Sequence, residues 1–495
     1  MRIRLEFSPE QGHLQRVRLE YAFALFCAIY RHEKVATRQA GSADMRIVYG
    51  PSSRQSCSQP TLELGNLYRP RSIREPAPPP KQFERNARST VLFYSPIAGA
   101  EPDWLAEIFE WVSCADEYSI VGRDAQGRID FRDSYIGRNR LDLSVPYAAV
   151  AMRFLEEALC QHLPGYPTGR RSQMAGTSHL VVNTHDVDIL PAGYFRSLYR
   201  LAKYSLISLL VFNSAASAAV QAGKALSMAM GGPNPLDQSP QLLRGEVSKG
   251  VGATYFLIAR QRHRRDANYR IDDPTVRELM HTIERQGMEV ALHGSYNSLD
   301  EPGGLTAEFK QLRTEGFRPR GNRQHWLRFT LDRLIPAVEQ SGALYDTSVG
   351  WDHSGFRAGA CFAFPPYNFA SEKASTFLEI PLAVMEIGLV SAGTPPADWF
   401  DRVARVLSNS RQYGPGGISL LWHPTAFGAG QLPREIERIF WKLIEQRSDW
   451  NDRWVSALDF VRLESERYIK VGLLPPEYGS DIVAPAECAL RSNVG

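Results

Sequence analysis

Two acids, Asp186 and Asp188, close the run His179-Leu-Val-Val-Asn-Thr-His-Asp-Val-Asp188. On an extended backbone residues two apart share a side, so both carboxylates would face one way. Neighbouring carboxylates repel, and a divalent cation offsets that repulsion, with one acid as ligand and the other free as a base. The competing reading is structural: both acids cap a following helix. The apolar residues before them read as a buried strand carrying charge to its C-terminal end, where parallel α/β folds build their sites. The placement recurs. Met288 to Leu292 runs into His293, and Ile418 to Trp422 runs into His423. One such histidine reads as a satisfied core residue. Three strand ends bearing acids and imidazoles read as a cleft with ligands suited to zinc or a similar divalent ion.

The elements that must hold these residues alternate. After the strand at 179–183 come a long helical insert with a Gly-Gly-Pro-Asn-Pro break at 231–235, a strand at 253–258, and a helix at 273–286 with Pro274 in its first turn. Helices are expected at 306–315, 327–340, 397–408, 434–445 and 456–466, with strands at 377–380 and 454–455 between them and a strand ending at Asp346. Strand–helix units over this length predict a parallel barrel or a doubly wound sheet. Residues 1 to about 170 read as a smaller α/β module: a helix over 14–29, strands at 45–49 and 90–94, helices at 102–112 and 147–159, and a Pro-rich connection around Pro76 to Pro80. The Gly-, Arg- and Ser-rich stretch 164–176 marks the expected boundary, and 471–495 a C-terminal tail.

A chain of 495 residues is too long for one ordinary domain. The net charge of +3 gives no argument for nucleic acid. The basic run Arg260-Gln-Arg-His-Arg-Arg265 reads as a solvated face. The six cysteines form no Cys-x-x-Cys pair, so a thiolate zinc site has no support, and their scatter fits a reducing compartment. The opening Met1-Arg-Ile-Arg-Leu-Glu-Phe lacks signal-peptide order, and a cytoplasmic protein is expected. Tyr204 to Gly223 carries no charge over 20 residues between Lys203 and Lys224. Its serines, Asn213, Gln221 and Ala-rich second half predict a buried or surface-docked helix rather than a transmembrane span, with peripheral membrane contact as the lesser reading.

With these residues in view, the sequence resembles the polysaccharide deacetylases, carbohydrate esterase family 4. Thr184-His-Asp-Val-Asp188 is similar to the first motif in its Asp-x-Asp variant, and Glu289-Val-Ala-Leu-His293-Gly-Ser-Tyr-Asn297 to the metal-binding second motif. Arg323-Gln-His-Trp-Leu-Arg-Phe329 stands where the arginine-bearing third motif is expected. Tyr345-Asp-Thr-Ser348-Val-Gly-Trp351 resembles the fourth, with Gly355-Phe-Arg-Ala-Gly359 of the same superfamily after it. Leu420-Leu-Trp-His423-Pro424 resembles the fifth. The N-terminal portion and the insert resemble a bacterial subgroup with an uncharacterised N-terminal domain.

The resemblance implies a distorted (β/α) barrel over 178–470, with a helical insert at about 191–250, preceded by the smaller α/β domain 1–170. It implies a hydrolase that removes acetyl groups from an N-acetylated sugar or polysaccharide precursor with a divalent metal, zinc first. Asp186 matches the base, Asp188 and His293 metal ligands, Arg323 the partner that orients Asp186, and His423 the general acid. The second motif departs from its family at Asn297, where a histidine is usual. Either Asn297 ligates, or His325 completes the set, or the site is degraded; His353 reads as a loop histidine. Trp351 and Trp422 stack on substrate or pack as core, and Arg357 binds a substrate carboxylate or braces the site. Rival functions are hydrolysis of small amides or ureides on the same fold, and an inactive glycan-binding or assembly partner in envelope polysaccharide synthesis. The oligomeric state is left open.

Overall fold

The computed structural model describes residues 1–8, 10–35, 43–49, 60–64, 68–85, 88–96, 101–162, 178–190, 194–210, 215–232, 239–391, 393–428 and 432–483. The expected boundary at 164–176, most of the Gly-Gly-Pro-Asn-Pro break and the end of the C-terminal tail lie outside them.

The N-terminal part is α/β, as its pattern predicts. Strands β1 (Arg2–Phe7), β2 (Glu33–Val35), β3 (Met45–Tyr49) and β4 (Thr61–Leu64) form a parallel sheet in the order β2-β1-β3-β4. β5 (Lys81–Arg85) and β6 (Arg88–Leu92) form a separate antiparallel pair. The helix His13–Tyr30 is buried along most of its length. The helix Trp104–Val112 starts at Asp103, whose carboxylate accepts from the Ala106 N–H.

The second part is built on β7 (His179–Val187), buried throughout. It runs four residues further than the apolar pattern predicts, because Thr184, His185 and Asp186 are buried with their polar atoms partnered. On one side of β7 lies β16 (Gly416–Leu421); on the other, β17 (Asp452–Val455) pairs its first half and β8 (Thr254–Ile258) its second. From β8 the parallel sheet continues through β9 (Glu289–Gly294), β10 (Gly321–Gln324), β11 (Tyr345–Asp346) and β14 (Leu378–Glu379). Its other end is β15 (Leu382–Met385), beside β16. Only Ile380 and Pro381 separate β14 from β15, and Gly350 bridges Leu382, so the sheet curls round on itself. The remaining short strands, β12 (Tyr367–Asn368) and β13 (Lys373–Ala374), form an antiparallel pair apart from it. This is the expected distorted (β/α) barrel. At β10 the chain must pass under an aromatic ring: a Cβ at Gly321 would lie 2.0 Å from the Tyr345 side chain.

Outside the barrel, Tyr194–Leu210 and Ala215–Ala229 pack together as a helical hairpin, followed by the helix Ser239–Lys249. The described residues of the uncharged segment 204–223 thus fall in two helices. Among the described residues no helix is long and apolar enough to cross a membrane.

One hydrophobic core contains residues of both parts. Tyr21 donates to the Pro365 carbonyl at 2.7 Å, and the Ala148 N–H donates to the Gly359 carbonyl at 2.8 Å. Arg357, in the barrel, grips the Glu117 carboxylate with two hydrogen bonds of 2.8 and 2.7 Å.

Candidate metal centre

Three strand ends deliver one cluster. Asp188 follows β7, His293 lies in β9, and His325 follows β10 directly. One ligand atom from each lies within 4.8 Å of the others. Asp188 Oδ1 is 3.3 Å from His293 Nε2 and 3.5 Å from His325 Nε2. The His293 Nδ1–H donates to the Arg323 carbonyl at 2.8 Å, which leaves Nε2 as the lone-pair nitrogen facing the acids. His325 turns Nε2 inward in the same way. Its Nδ1 lies 3.7 Å from Asp266 Oδ1, a carboxylate behind the imidazole.

These residues fit a divalent cation by their own chemistry. Asp188 Oδ1 and His293 Nε2 are buried and have no hydrogen-bond partner, a costly state for polar atoms unless something binds between them. One carboxylate and two imidazoles are the donor set of a zinc-type site with open positions. Burial opposes charge on Asp188, yet His325 and His293 hold its carboxyl well below the usual range. Burial likewise disfavours charge on His325, but Asp188 and Asp266 push its imidazole up to about 9. A pocket that holds a proton this firmly offers the same negative potential to a metal ion.

The backbone after His325 is strained. Trp326 and Leu327 have φ of 62° and 49°, left-handed values uncommon for non-glycine residues. Trp326 is partly exposed beside the centre, with the Arg265 guanidinium 5.1 Å from its ring. Arg265 also donates to the Tyr296 hydroxyl at 2.6 Å, and the backbone of the same basic run holds Asp266: the Arg262 and His263 N–H groups donate to its Oδ2 at 2.9 and 2.8 Å.

Asp186 is buried beside the cluster, its Oδ2 3.4 Å from His293 Nε2 and its Oδ1 3.5 Å from Arg323 Nη1. Arg323 is fully buried and fixed from three sides. Its Nε donates to Thr347 Oγ1 at 2.9 Å, Nη2 reaches Ser419 Oγ at 3.4 Å, and the guanidinium lies over the Phe256 ring. Behind it, burial raises the carboxyls of Asp346 and Glu379, two acids acting on each other as a pair with one shared proton would. His423 Nε2 is 3.6 Å from Asp188 Oδ2, and its Nδ1–H donates to Glu386 Oε1 at 2.6 Å. Burial disfavours the imidazolium, but Glu386 outweighs it and raises His423 to about 10.

The other residues singled out from the sequence have contacts of their own. No hydrogen bond or ion pair joins the Asn297 side chain to the trio; its carbonyl accepts from the Asp300 N–H. Trp422 is fully buried, with its indole N–H donating to the Ile436 carbonyl at 3.2 Å, so it presents no face to a sugar. Arg357 directs Nε and both terminal nitrogens to Glu117 and the Gly350 carbonyl. Trp351 sits 4.0 Å under Arg357 and lines a cleft of about 310 Å³ together with Arg128, Phe131 and His353. His353 is a loop residue paired with Asp352 at 2.9 Å. His185, inside the first motif, is structural: both ring nitrogens meet oxygens, the Trp422 carbonyl at 2.6 Å and Glu246 at 2.7 Å. Asp266, Glu386 and Glu246 were not singled out from the sequence.

No protein-family model matches the chain, and no curated protein matches it. Solved structures are similar to it at low identity. A Mycobacterium smegmatis protein assigned to the polysaccharide deacetylases shares 18% identity over 58% of this chain and 89% of its own, with a TM-score of 0.36. A peptidoglycan N-acetylglucosamine deacetylase shares 15% over 57% and 87%, with a TM-score of 0.31. The peptidoglycan deacetylase PdaC from Bacillus subtilis shares 14% over 59% and 95%, with a TM-score of 0.29.

Proposed function

We propose that the chain is a metal-dependent hydrolase that removes the acetyl group from an N-acetylated sugar or polysaccharide precursor. The observation that carries this reading is the convergence of Asp188, His293 and His325, two of their facing atoms buried without a hydrogen-bond partner, between a buried acid and an imidazolium. Asp188, His293 and His325 would hold the cation. When bound, it supplies a Lewis acid that polarises the acetyl carbonyl and acidifies a water.

The chain's own groups divide the proton work. Asp186 takes the proton from the attacking water, and Arg323, 3.5 Å away, holds that carboxylate in place. His423 carries a proton at neutral pH because Glu386 stabilises its charge, and it hands that proton to the departing amine nitrogen. An acid and a base both beside a cation site are what amide hydrolysis requires, since an amine leaves only once protonated. Trp351 is the remaining aromatic candidate for contact with the sugar, and the cleft it lines is walled by none of Asp186, Asp188, His293, His325 and His423.

The test is acetate release from N-acetylated sugars by purified protein stripped of metal and reloaded with zinc or cobalt, beside panels of small amides and ureides. Metal-dependent acetate release that Asp186→Asn abolishes supports the reading. Turnover of amides or ureides alone moves the function to the rival hydrolase. Failure to bind either metal, with Asp188→Ala changing nothing, leaves the inactive glycan-binding reading.

A further inference from the structure

The helical hairpin after β7 carries large apolar side chains that are exposed. Phe195, Tyr199, Leu210 and Met230 are 83%, 70%, 71% and 74% exposed, and Leu206, Leu209 and Leu226 are exposed with them. On the first helix, Phe195, Tyr199, Leu206, Leu209 and Leu210 fall within about 100° of arc, one continuous stripe. The opposite face is already used: Leu201 and Tyr204 pack with Met228 of the second helix in a small core of their own. The helix is therefore apolar on two faces, one closed by its neighbour and one turned outward.

Charge says what the outward face meets. Between Asp188 and Asp237 the sequence holds four cations, Arg196, Arg200, Lys203 and Lys224, and no acid. At the chain's average of 54 acids in 495 residues, about five would fall there. Lys203 lies beside the stripe, within a turn of Tyr199 and Leu206. From outside the segment Arg434 and Glu437 act on Lys224, one charge of each sign, so the hairpin keeps its cationic excess. An apolar stripe with that excess beside it is complementary to a surface that is apolar inside and anionic at its rim.

We propose that the hairpin Tyr194–Ala229 docks in the plane of an anionic phospholipid bilayer, with Phe195, Leu206 and Leu210 inserted and Lys203 at the headgroups. Its helices lie on the membrane and do not span it. The hairpin begins six residues after Asp188, so the docked surface starts within roughly 20 Å of the metal centre. The proposal does not depend on the reaction catalysed there.

The experiment is flotation of the full-length protein with phosphatidylcholine vesicles, with and without about one third phosphatidylglycerol. Binding is expected only to the anionic vesicles and should weaken as salt is raised. Phe195→Ser combined with Leu206→Ser and Leu210→Ser should abolish it, and Lys203→Glu should lower the partition roughly tenfold. Both variants should keep the wild-type melting temperature, since the changed side chains are exposed. Absence of flotation on the anionic vesicles overturns the proposal. So does a wild-type dimer in sedimentation that the triple variant converts to monomer, because a second copy then covers the face.

Discussion

His325 has a carboxylate at each ring nitrogen, Asp188 in front and Asp266 behind, and this makes it the proposed third ligand in place of Asn297. His325→Ala should therefore abolish tight zinc or cobalt binding in calorimetric titrations of metal-free protein. Asn297→Ala should leave affinity within a few-fold. Asp266→Asn, which removes the carboxylate behind the imidazole, should weaken binding about 10- to 100-fold. Loss of affinity in Asn297→Ala with His325→Ala neutral would reverse the assignment. His423→Gln should instead lower acetate release about 10²- to 10⁴-fold while metal affinity stays within a few-fold. The sequence made Asp186, Asp188, His293 and His423 legible because each ends an apolar run. Glu386 follows Leu382–Met385 in the same way and carried the same signal, obscured by the strand expected just before it at 377–380. Asp266 carried none: it lies in a loop behind a basic run, and only the fold brings it to His325.

Strands β7, β8, β9 and β16 were readable for the same reason, apolar runs bounded by polar residues. β10 was not, because Gly321-Asn-Arg-Gln324 has no apolar pattern although all four residues are buried. Hydrogen bonds replace hydrophobicity there: Asn322 donates to Asp346 at 2.7 Å, Arg323 to Thr347 at 2.9 Å and Gln324 to the Ser295 carbonyl at 2.8 Å. A parallel sheet with polar interior strands depends on the ionisation of its buried acids. Glu289, at the start of β9, ties four elements together. Its carboxyl accepts from Tyr345 Oη at 2.6 Å, Thr254 Oγ1 at 2.7 Å and the Leu458 N–H at 2.9 Å. Burial raises its pKa to about 7, and these donors only moderate the rise. The folded value exceeds the unfolded one, so this contribution is full below the unfolded pKa and is lost as pH climbs through 7. The loss between those limits is about 3 kcal/mol. In Glu289→Gln the amide oxygen can face the Leu458 N–H while Tyr345 turns its hydroxyl to accept. Denaturant unfolding from pH 5 to 8 should show the variant's stability falling less steeply than that of wild type. Parallel curves would mean that Glu289 does not titrate in this range.

At the scale of the whole molecule, the two parts that the sequence separates at 164–176 share one apolar core, and the contacts between them are specific as well as greasy. Arg357 donates two hydrogen bonds to Glu117 and a third, of 3.0 Å, to the Gly350 carbonyl, in the segment between β11 and β12. The pair is buried, so removing one member leaves an uncompensated charge out of water. Breaking such a pair costs about 3–5 kcal/mol, whereas replacing both members with apolar groups is often near neutral. Arg357→Met should therefore destabilise the full chain by that amount, and Arg357→Met with Glu117→Leu by much less. Because the core is continuous, both parts should unfold in one transition, followed together by tryptophan fluorescence and by circular dichroism. Metal affinity should hold in the folded single variant, since Arg357 spends its nitrogens away from Asp188, His293 and His325. A first transition in Arg357→Met that releases only residues 1–162, with the barrel still binding metal, would show instead that the N-terminal part is a separable domain docked on a self-sufficient barrel.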